Sequence, residues 1–234
     1  ETNTVVEAEF NFTPQFYTDT ATDENGRFLS FGIPLTNPLI PGEIRDFGIA
    51  NGEYAVPFIR RITEVGGRGY QNTRETFSVA FGAEGTIMDR WSWTAYYSTG
   101  RSTQSTSNSN TTNTARVRSA FDVIEDPVSP GSFVCRDVEA RNSGCVPLNI
   151  FGYNTISPEA ARYIAHTEVR DGRQDLDVFA ATIGGNLFQV PAGDVSAVVG
   201  IEYRNEKAST IHDGLWSSGG TTSGQNPQNL RGSF

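Results

Sequence analysis

The chain has 234 residues and a formal net charge of −9, and this acidic balance disfavours nucleic acid as a partner because phosphate binding draws on clustered Lys and Arg. Only 37% of the residues are hydrophobic, against the roughly 45–50% apolar usage of soluble globular domains. Yet 11% are aromatic, which is too many for a disordered chain. This composition suits a sheet with one apolar face, one aqueous face and long polar loops.

Alternation of apolar and polar residues predicts five strands. In the first strand, Glu7 and Glu9 lie on the polar face. Met88-Asp89-Arg90 and Pro191-Ala192-Gly193-Asp194 are the predicted turns of two hairpins. The predicted strands span residues 5–17, 57–87, 91–104, 175–190 and 195–206, and the predicted loops span 18–56, 105–174 and 207–234.

The middle loop contains most of the remaining local signals. The tract 102–113 is almost pure Ser, Thr and Asn, and we expect it to be solvated because it has no apolar surface to bury. Two short helices are predicted after it, one over residues 114–124 and one ending at Ile164. The second has Ser157 at its N-cap and Pro158 at its first helical position, the residue types favoured at those places.

The connections between strands alternate between long and short. Outer-membrane barrels have short periplasmic turns and long extracellular loops, and Trp91 and Trp93 follow a short turn, where an aromatic girdle would lie. A sandwich core is the other interpretation of these two tryptophans. The pattern predicts an all-β fold over residues 1–234, in which antiparallel up-and-down strands form part of a transmembrane β-barrel wall and the long extracellular loops carry short helices.

Cys135 and Cys145 lie close together with no His nearby to complete a metal site. The spacing favours a local disulfide over two free buried thiols. A disulfide implies an oxidising compartment such as the periplasm or the cell surface.

Several short sequence words, in this order along the chain, carry a family resemblance. They are Asp89-Arg90-Trp91-Ser92-Trp93, the run from Gly144 to Gly152 after Cys135, Ile156-Ser157-Pro158-Glu159-Ala160, and Leu187 to Gly193 leading into Val199 to Arg204. Together they resemble the barrel region of TonB-dependent receptors of proteobacterial type, from about Arg60 onward.

The resemblance implies a barrel of about 22 strands in the outer membrane of a Gram-negative bacterium, closed by a plug domain. Such receptors import a small, scarce nutrient, namely an iron chelate, cobalamin, a saccharide or a peptide, with energy supplied by TonB. No segment here resembles the plug or the energy-coupling box, so we expect a fragment. Its expected partners are outer-membrane lipid, the plug, the remaining barrel strands, TonB through a missing N-terminal region, and the nutrient. No cofactor or metal is expected.

Candidate site residues follow from the barrel interpretation. Five charged or aromatic residues would face the lumen, where they would contact the plug or the ligand: Glu7, Glu9, Tyr96, Glu202 and Arg204. Tyr153 and Trp216 are aromatic residues in predicted loops and are candidate ligand contacts, because exposed loop aromatics are typical binding groups.

Two other classes of function compete with transport. A secreted β-sandwich that binds a ligand or carbohydrate would use Trp91, Trp93 and Tyr97 as its core or as a stacking platform. A β-rich hydrolase would need acidic residues such as Glu202 and Asp213, but no context singles out a carboxylate pair. His166 and His212 accompany no nucleophile motif, so the predicted protein is not an enzyme.

Overall fold

The computed structural model describes residues 2–7, 11–12, 32–56, 58, 60–222 and 227–233. These residues are mostly in antiparallel β-strands. The strands are β1 Thr2–Glu7, β2 Asn11–Phe12, β3 Ile33–Pro34, β4 Ala55–Val56, β5 Arg60–Arg61, β6 Arg68–Ile87, β7 Trp91–Thr112, β8 Val123–Glu125, β9 Phe133–Cys135, β10 Ala165–Val190, β11 Gly193–His212 and β12 Leu230–Ser233. The helices are α1 Gly42–Ala50, α2 Thr114–Phe121, α3 Val138–Asn142, α4 Pro158–Ile164 and α5 Gly214–Ser217, with a 3₁₀ turn at Thr63–Val65.

One sheet of six antiparallel strands dominates, in the spatial order β1-β6-β7-β10-β11-β12. Adjacent strands of this sheet follow one another along the sequence, except where the short strands of the two-stranded sheets intervene. The sheet is therefore an up-and-down meander, and β1 and β12 are its edge strands among the described residues. Tight turns join β6 to β7 and β10 to β11 at one end of the sheet. The long connections, from β7 to β10 and from β11 to β12, leave the sheet at the other end.

The register places most of the large apolar residues of the four long strands on one face. Phe81, Tyr97, Phe179 and Tyr203 stand opposite one another across the strands, and we call them the aromatic row. The apolar band comprises this row, Val79, and the rows between it and the tight turns: Ala83, Ala95, Ala181 and Ile201, then Trp93, Ile183 and Val199, then Ile87, Trp91 and Ala197.

Glycines make room for the two tryptophans near the tight turns. A Cβ on Gly185 would stand 2.8 Å from the ring of Trp91, and one on Gly85 would stand 3.0 Å from the ring of Trp93. Each indole therefore lies across a neighbouring strand where only glycine leaves space. The two turns themselves occur where the sequence predicts them, with Met88 and Asp89 both at positive φ.

The buried core lies outside the sheet, in what we call the loop unit, residues 32–56, 58, 60–65 and 113–164. Ile33, Ile62, Phe121, Leu148 and Ile164 are almost completely buried there. Phe58 packs edge-on against Phe121, with ring centroids 4.9 Å apart. The loop unit thus has its own apolar interior, while the long strands expose theirs.

Local signals in the loop unit behave as predicted. Ser157 accepts a hydrogen bond from the Ala160 amide at the start of α4, with Pro158 in the first turn. Asn113 caps α2 in the same way. Cys135 and Cys145 form the predicted disulfide, which ties β9 to the segment after α3.

The strand limits differ from the predicted ones. The strand predicted over 57–87 begins only at Arg68, because Gly66 adopts a φ of +98° after the 3₁₀ turn. The tract 102–113, predicted as solvated loop, instead continues β7 to Thr112. Its short polar side chains bond across the strands: Thr76 and Ser102 oxygens are 3.2 Å apart, and Gln104 donates to Asn72 over 2.9 Å.

Pairing with a neighbouring strand also extends other strands beyond their predicted limits. β10 begins at Ala165 and β11 continues to His212, beyond the predicted limits of 175 and 206, since each has a neighbouring strand to pair with. Helix α1 lies inside the predicted loop 18–56, and β12 lies inside the predicted loop 207–234. Of the strand predicted over 5–17, only residues 5–7 and 11–12 fall within the described residues.

The disulfide should stabilise the loop unit measurably. Its two cysteines are 10 positions apart, and closing so short a loop stabilises a fold by about 2–3 kcal/mol in the chain-entropy model. We expect the Cys135→Ser, Cys145→Ser double variant to show faster amide hydrogen exchange at Arg136 and Leu148, whose amides donate within the loop unit. Reductant should accelerate exchange in the wild type and leave the variant unchanged. Equal exchange rates in the two proteins without reductant would contradict the prediction.

Candidate functional site

The polar face of the main sheet carries three of the predicted site residues. Tyr96 stands between Gly82 on β6 and Ala180 on β10, and Glu202 is opposite Ala180 on β11. A Cβ on Gly82 would come within 3.0 Å of the Tyr96 Cβ. Tyr96 is about half exposed.

Arg204 organises the acidic residues beside it. Its guanidinium lies 3.4 Å from Glu202 Oε1 and 3.0 Å from Glu206 Oε1. All three side chains are about half exposed, so these ion pairs contribute little to stability. The trio keeps one negative charge in excess and leaves each group accessible to a ligand or to a packed domain.

Further along the polar face, a ladder of hydrogen-bonded side chains crosses the strands. Arg74 Nη2 donates to Gln104 over 2.9 Å, and Gln104 and Thr106 both donate to Asn72. Arg170 reaches the Thr106 hydroxyl at 3.4 Å. This face satisfies its polar groups mutually and exposes few apolar side chains, as a water-facing surface requires.

A buried polar network ends the polar face beneath the long connections. Glu168 is 1% exposed and accepts hydrogen bonds from the Thr221 hydroxyl and from Asn108. Thr112 and Thr222 bond through their hydroxyls at 3.0 Å. Because burying a carboxylate without partners is costly, these contacts hold the connection from β11 to β12 against the sheet.

Asp213 is the second anchor of this connection. Its carboxylate accepts hydrogen bonds from the amides of Val169 at 2.9 Å and Trp216 at 3.0 Å, and lies 3.2 Å from His166 Nε2. Burial alone would raise the pKa of Asp213, but these hydrogen bonds and the neighbouring His166 outweigh it and lower the pKa below its usual value. Asp213 therefore links β10, α5 and the end of β11.

Trp216 is not the exposed loop aromatic that the sequence suggested. It is 6% exposed, and its indole packs edge-on against His212 with ring centroids 4.9 Å apart. The physical reason is the Asp213 cap, which folds α5 back onto the sheet. Burial removes the ground on which Trp216 was chosen as a ligand contact.

Tyr153 does project into solvent, with 89% of its surface exposed. The turn that carries it is held from both sides. Arg60 Nη2 donates to the Gly152 carbonyl over 2.9 Å, and the Thr155 hydroxyl donates to the Asn149 carbonyl over 2.9 Å. An exposed aromatic on an ordered turn is a preorganised contact group.

The two remaining candidates lie in the first strand. The backbone of Glu7 pairs with Arg68 at the end of β1, so Glu7 belongs to the edge of the sheet. Glu9 lies outside the described residues. That Glu7 and Glu9 face the lumen stays a prediction.

Within the described residues, no three His, Cys, Asp or Glu side chains form a group that could hold a metal ion. His166 and Asp213 form a close pair, but the Ser217 hydroxyl beside them donates to the carbonyls of Asp213 and Gly214. The Glu168 network escaped sequence reasoning, because a single Glu in a polar stretch carries no signal of burial.

Comparison with protein-family models, with curated proteins and with solved structures finds no match to this chain. In the part of the chain that the structure describes, no helix has the length and apolar character needed to cross a membrane.

Removing the Asp213 carboxylate should loosen the connection after β11. We expect Asp213→Ala to cost about 1–2 kcal/mol of local stability, since it removes a helix cap and a bond to the strand. Hydrogen exchange at the Val169 and Trp216 amides measures this loss, and Asp46→Ala, on the exposed surface of α1, is the control.

The same contact should depend on pH. Because the folded-state pKa of Asp213 is lowered, its stabilisation is present above the unfolded value of about 3.9 and is lost as the pH falls through the folded value. Protection of the two amides should fall over this acidic range in the wild type. The same pH dependence in Asp213→Ala would contradict the assignment.

Proposed function

We propose that this chain forms part of the wall of an outer-membrane transport receptor of the TonB-dependent kind, which binds and imports a scarce nutrient. The nutrient classes are those of the sequence resemblance: an iron chelate, cobalamin, a saccharide or a peptide. One observation carries the proposal, namely an apolar band exposed to solvent across four long strands and bounded by aromatic side chains.

The exposure of the apolar band is unusual for a soluble protein. Phe81, Val199 and Ile201 are 66%, 68% and 65% exposed, although they stand in contiguous rows. Soluble monomers rarely expose large contiguous apolar patches. A lipid-facing wall needs one, because its outer surface contacts acyl chains in place of water.

The dimensions of the apolar band fit a bilayer. A strand from Val79 to Ile87 is roughly 27–30 Å long at about 3.3 Å per residue. Tilted by roughly 35–45°, as barrel strands are, it would span about 20–25 Å, close to the apolar height of about 25 Å in outer-membrane barrels.

Aromatic side chains lie near both limits of the band. The aromatic row lies one row inside the end nearer the long connections, which Val79 forms, and the Phe81 and Tyr97 rings are 5.4 Å apart within it. Trp91 and Trp93 are at the end nearer the tight turns. Amphipathic rings at both edges of an apolar zone are the arrangement of membrane-interface girdles.

The two ends of the sheet also differ as the proposal requires. Tight turns at one end suit the periplasm, and the loop unit with its disulfide suits the outside of the cell. The proposal further requires other strands to pair with β1 and β12, since no open sheet edge is stable in hydrocarbon. The polar face would then line the lumen, where Tyr96, Glu202 and Arg204 meet the plug or the ligand.

The secreted β-sandwich is less well supported. A sandwich core needs a second sheet over the apolar face, and among the described residues the other sheets have only two strands each. The rows of the apolar band remain open. Transport is therefore favoured over a secreted binding module.

A charge on the apolar face should prevent membrane insertion, and a charge on the polar face should be tolerated. Ile201→Arg lies in the middle of the apolar band and should cost about 2–4 kcal/mol of folding free energy in lipid vesicles. Thr182→Arg, one row away on the opposite face, should cost far less. Urea titration of the membrane-inserted parent protein measures both, and equal losses would contradict a lipid-facing band.

Import can be tested separately in cells that carry the full-length protein. Uptake of a ferric siderophore, cobalamin, a maltodextrin or a short peptide should depend on its gene and should stop when TonB is deleted. Tyr153→Ala should weaken uptake of the responding probe by about tenfold or less, because it removes one exposed aromatic contact. A membrane-inserted protein that leaves all four probes unaffected would overturn the transport proposal.

A further inference from the structure

Basic side chains gather on the apolar face just beyond the aromatic row. Arg101, Arg173 and Lys207 line a groove of about 770 Å³, and Arg231 joins the latter two in an adjoining groove of about 520 Å³. Arg101, Asp175 and Lys207 occupy one row across β7, β10 and β11. We call the four basic residues the cationic cluster.

Asp175 sets the geometry of the cationic cluster. Arg101 Nε and Arg173 Nε each donate to its carboxylate over 2.7 Å, and Arg173 Nη2 adds a bond of 3.1 Å. Both guanidinium groups stay about half exposed. Their remaining N–H groups are held in position and can bind an oxyanion without further ordering of the side chains.

Lys207 and Arg231 make no ion pair with any of the described residues. Both are exposed, and Lys207 is the only lysine in the chain. They stand on neighbouring strands, where Lys207 is opposite Ser233 and Arg231 is opposite Ser209. Within the described residues, two side-chain cations without acidic partners therefore lie beside Asp175 and its two arginines.

The local charge opposes the charge of the whole chain. The two grooves contain the four basic residues and three acidic ones, Glu75, Asp175 and Asp177. Asp177 is bound by the hydroxyls of Tyr97 at 3.1 Å and Thr99 at 2.7 Å, and Asp175 by two arginines. A net positive site on a chain of charge −9 indicates an anionic partner.

The position relative to the apolar band identifies the kind of anion. Arg101 is two residues beyond the row of Val79, which ends the apolar band, or roughly 7 Å along the strand and about 5 Å in height after tilting. This is the depth of lipid head groups, which extend roughly 5–8 Å beyond the hydrocarbon on each side. Phe77, 65% exposed, stands in the same row as Arg101 and offers an apolar contact there.

We propose that the cationic cluster binds the phosphate groups of phosphorylated lipids in the leaflet on the side of the loop unit. This inference rests on the proposed membrane location. The groove opens on the same face as the apolar band. When it binds the phosphate group of a lipid, the acyl chains of that lipid can therefore lie along the band. A free phosphate would gain only the charge contacts, which salt screens.

The test uses the full-length protein reconstituted in phosphatidylcholine vesicles with or without a bisphosphorylated glycolipid. Fluorescent glycolipid should bind the wild type, and a dephosphorylated analogue should bind at least tenfold more weakly. Lys207→Gln and Arg231→Gln should each weaken binding about tenfold, as expected for loss of a charge-assisted contact. Arg74→Gln is the matched control, since it removes one positive charge near the same height on the polar face.

Each outcome separates the two proposals. Failure of the wild type to insert into phosphatidylcholine vesicles would overturn the membrane location itself. Insertion with equal binding of phosphorylated and dephosphorylated lipid would overturn only the lipid site. Equal weakening in Arg74→Gln would show a general charge effect and overturn the site, and binding of inorganic phosphate as tightly as the glycolipid would assign the cluster to a soluble anion.

Discussion

Every surface of this protein depends on the register of one antiparallel ladder. β6, β7, β10 and β11 pair residue by residue over most of their length, and side chains alternate between the two faces with period two. A slip of one residue in any strand would move its apolar side chains to the polar face. The apolar band, the hydrogen-bonded side chains of the polar face and the cationic cluster therefore all depend on the same register.

The distribution of buried residues follows from this ladder. In a soluble domain, the apolar face of the sheet would form the core, but here the hydrophobic core cluster belongs to the loop unit. Short helices, local caps and the disulfide stabilise that unit with little help from the sheet. The long strands are stabilised mainly by their backbone ladder and by cross-strand side-chain pairs, which is consistent with the proposed lipid-facing wall.

Charge is also ordered along the strands. Apart from Asp177, which shares the row of Val79, the rows of the apolar band contain no charged side chain, and the other acidic and basic groups lie beyond it or on the opposite face. The polar face ends in the buried Glu168 network and the Asp213 anchor, which attach the connection after β11. Tyr96, Glu202 and Arg204, which would face the proposed lumen, lie on β7 and β11. These two strands lead into the long connections, which would form the outer mouth of the lumen.

Sequence alone determined the alternation, the tight turns, the capped helix α4 and the proximity of the two cysteines, because each depends on neighbours within a few residues. Only the tertiary structure decided the rest. The Ser/Thr/Asn tract became strand because β6 and β10 satisfy its backbone, and Trp216 became buried because Asp213 folds α5 inward. The Glu168 network and the cationic cluster are built from residues far apart in the chain, so no local pattern predicts them. Both form only because the register brings the strands together.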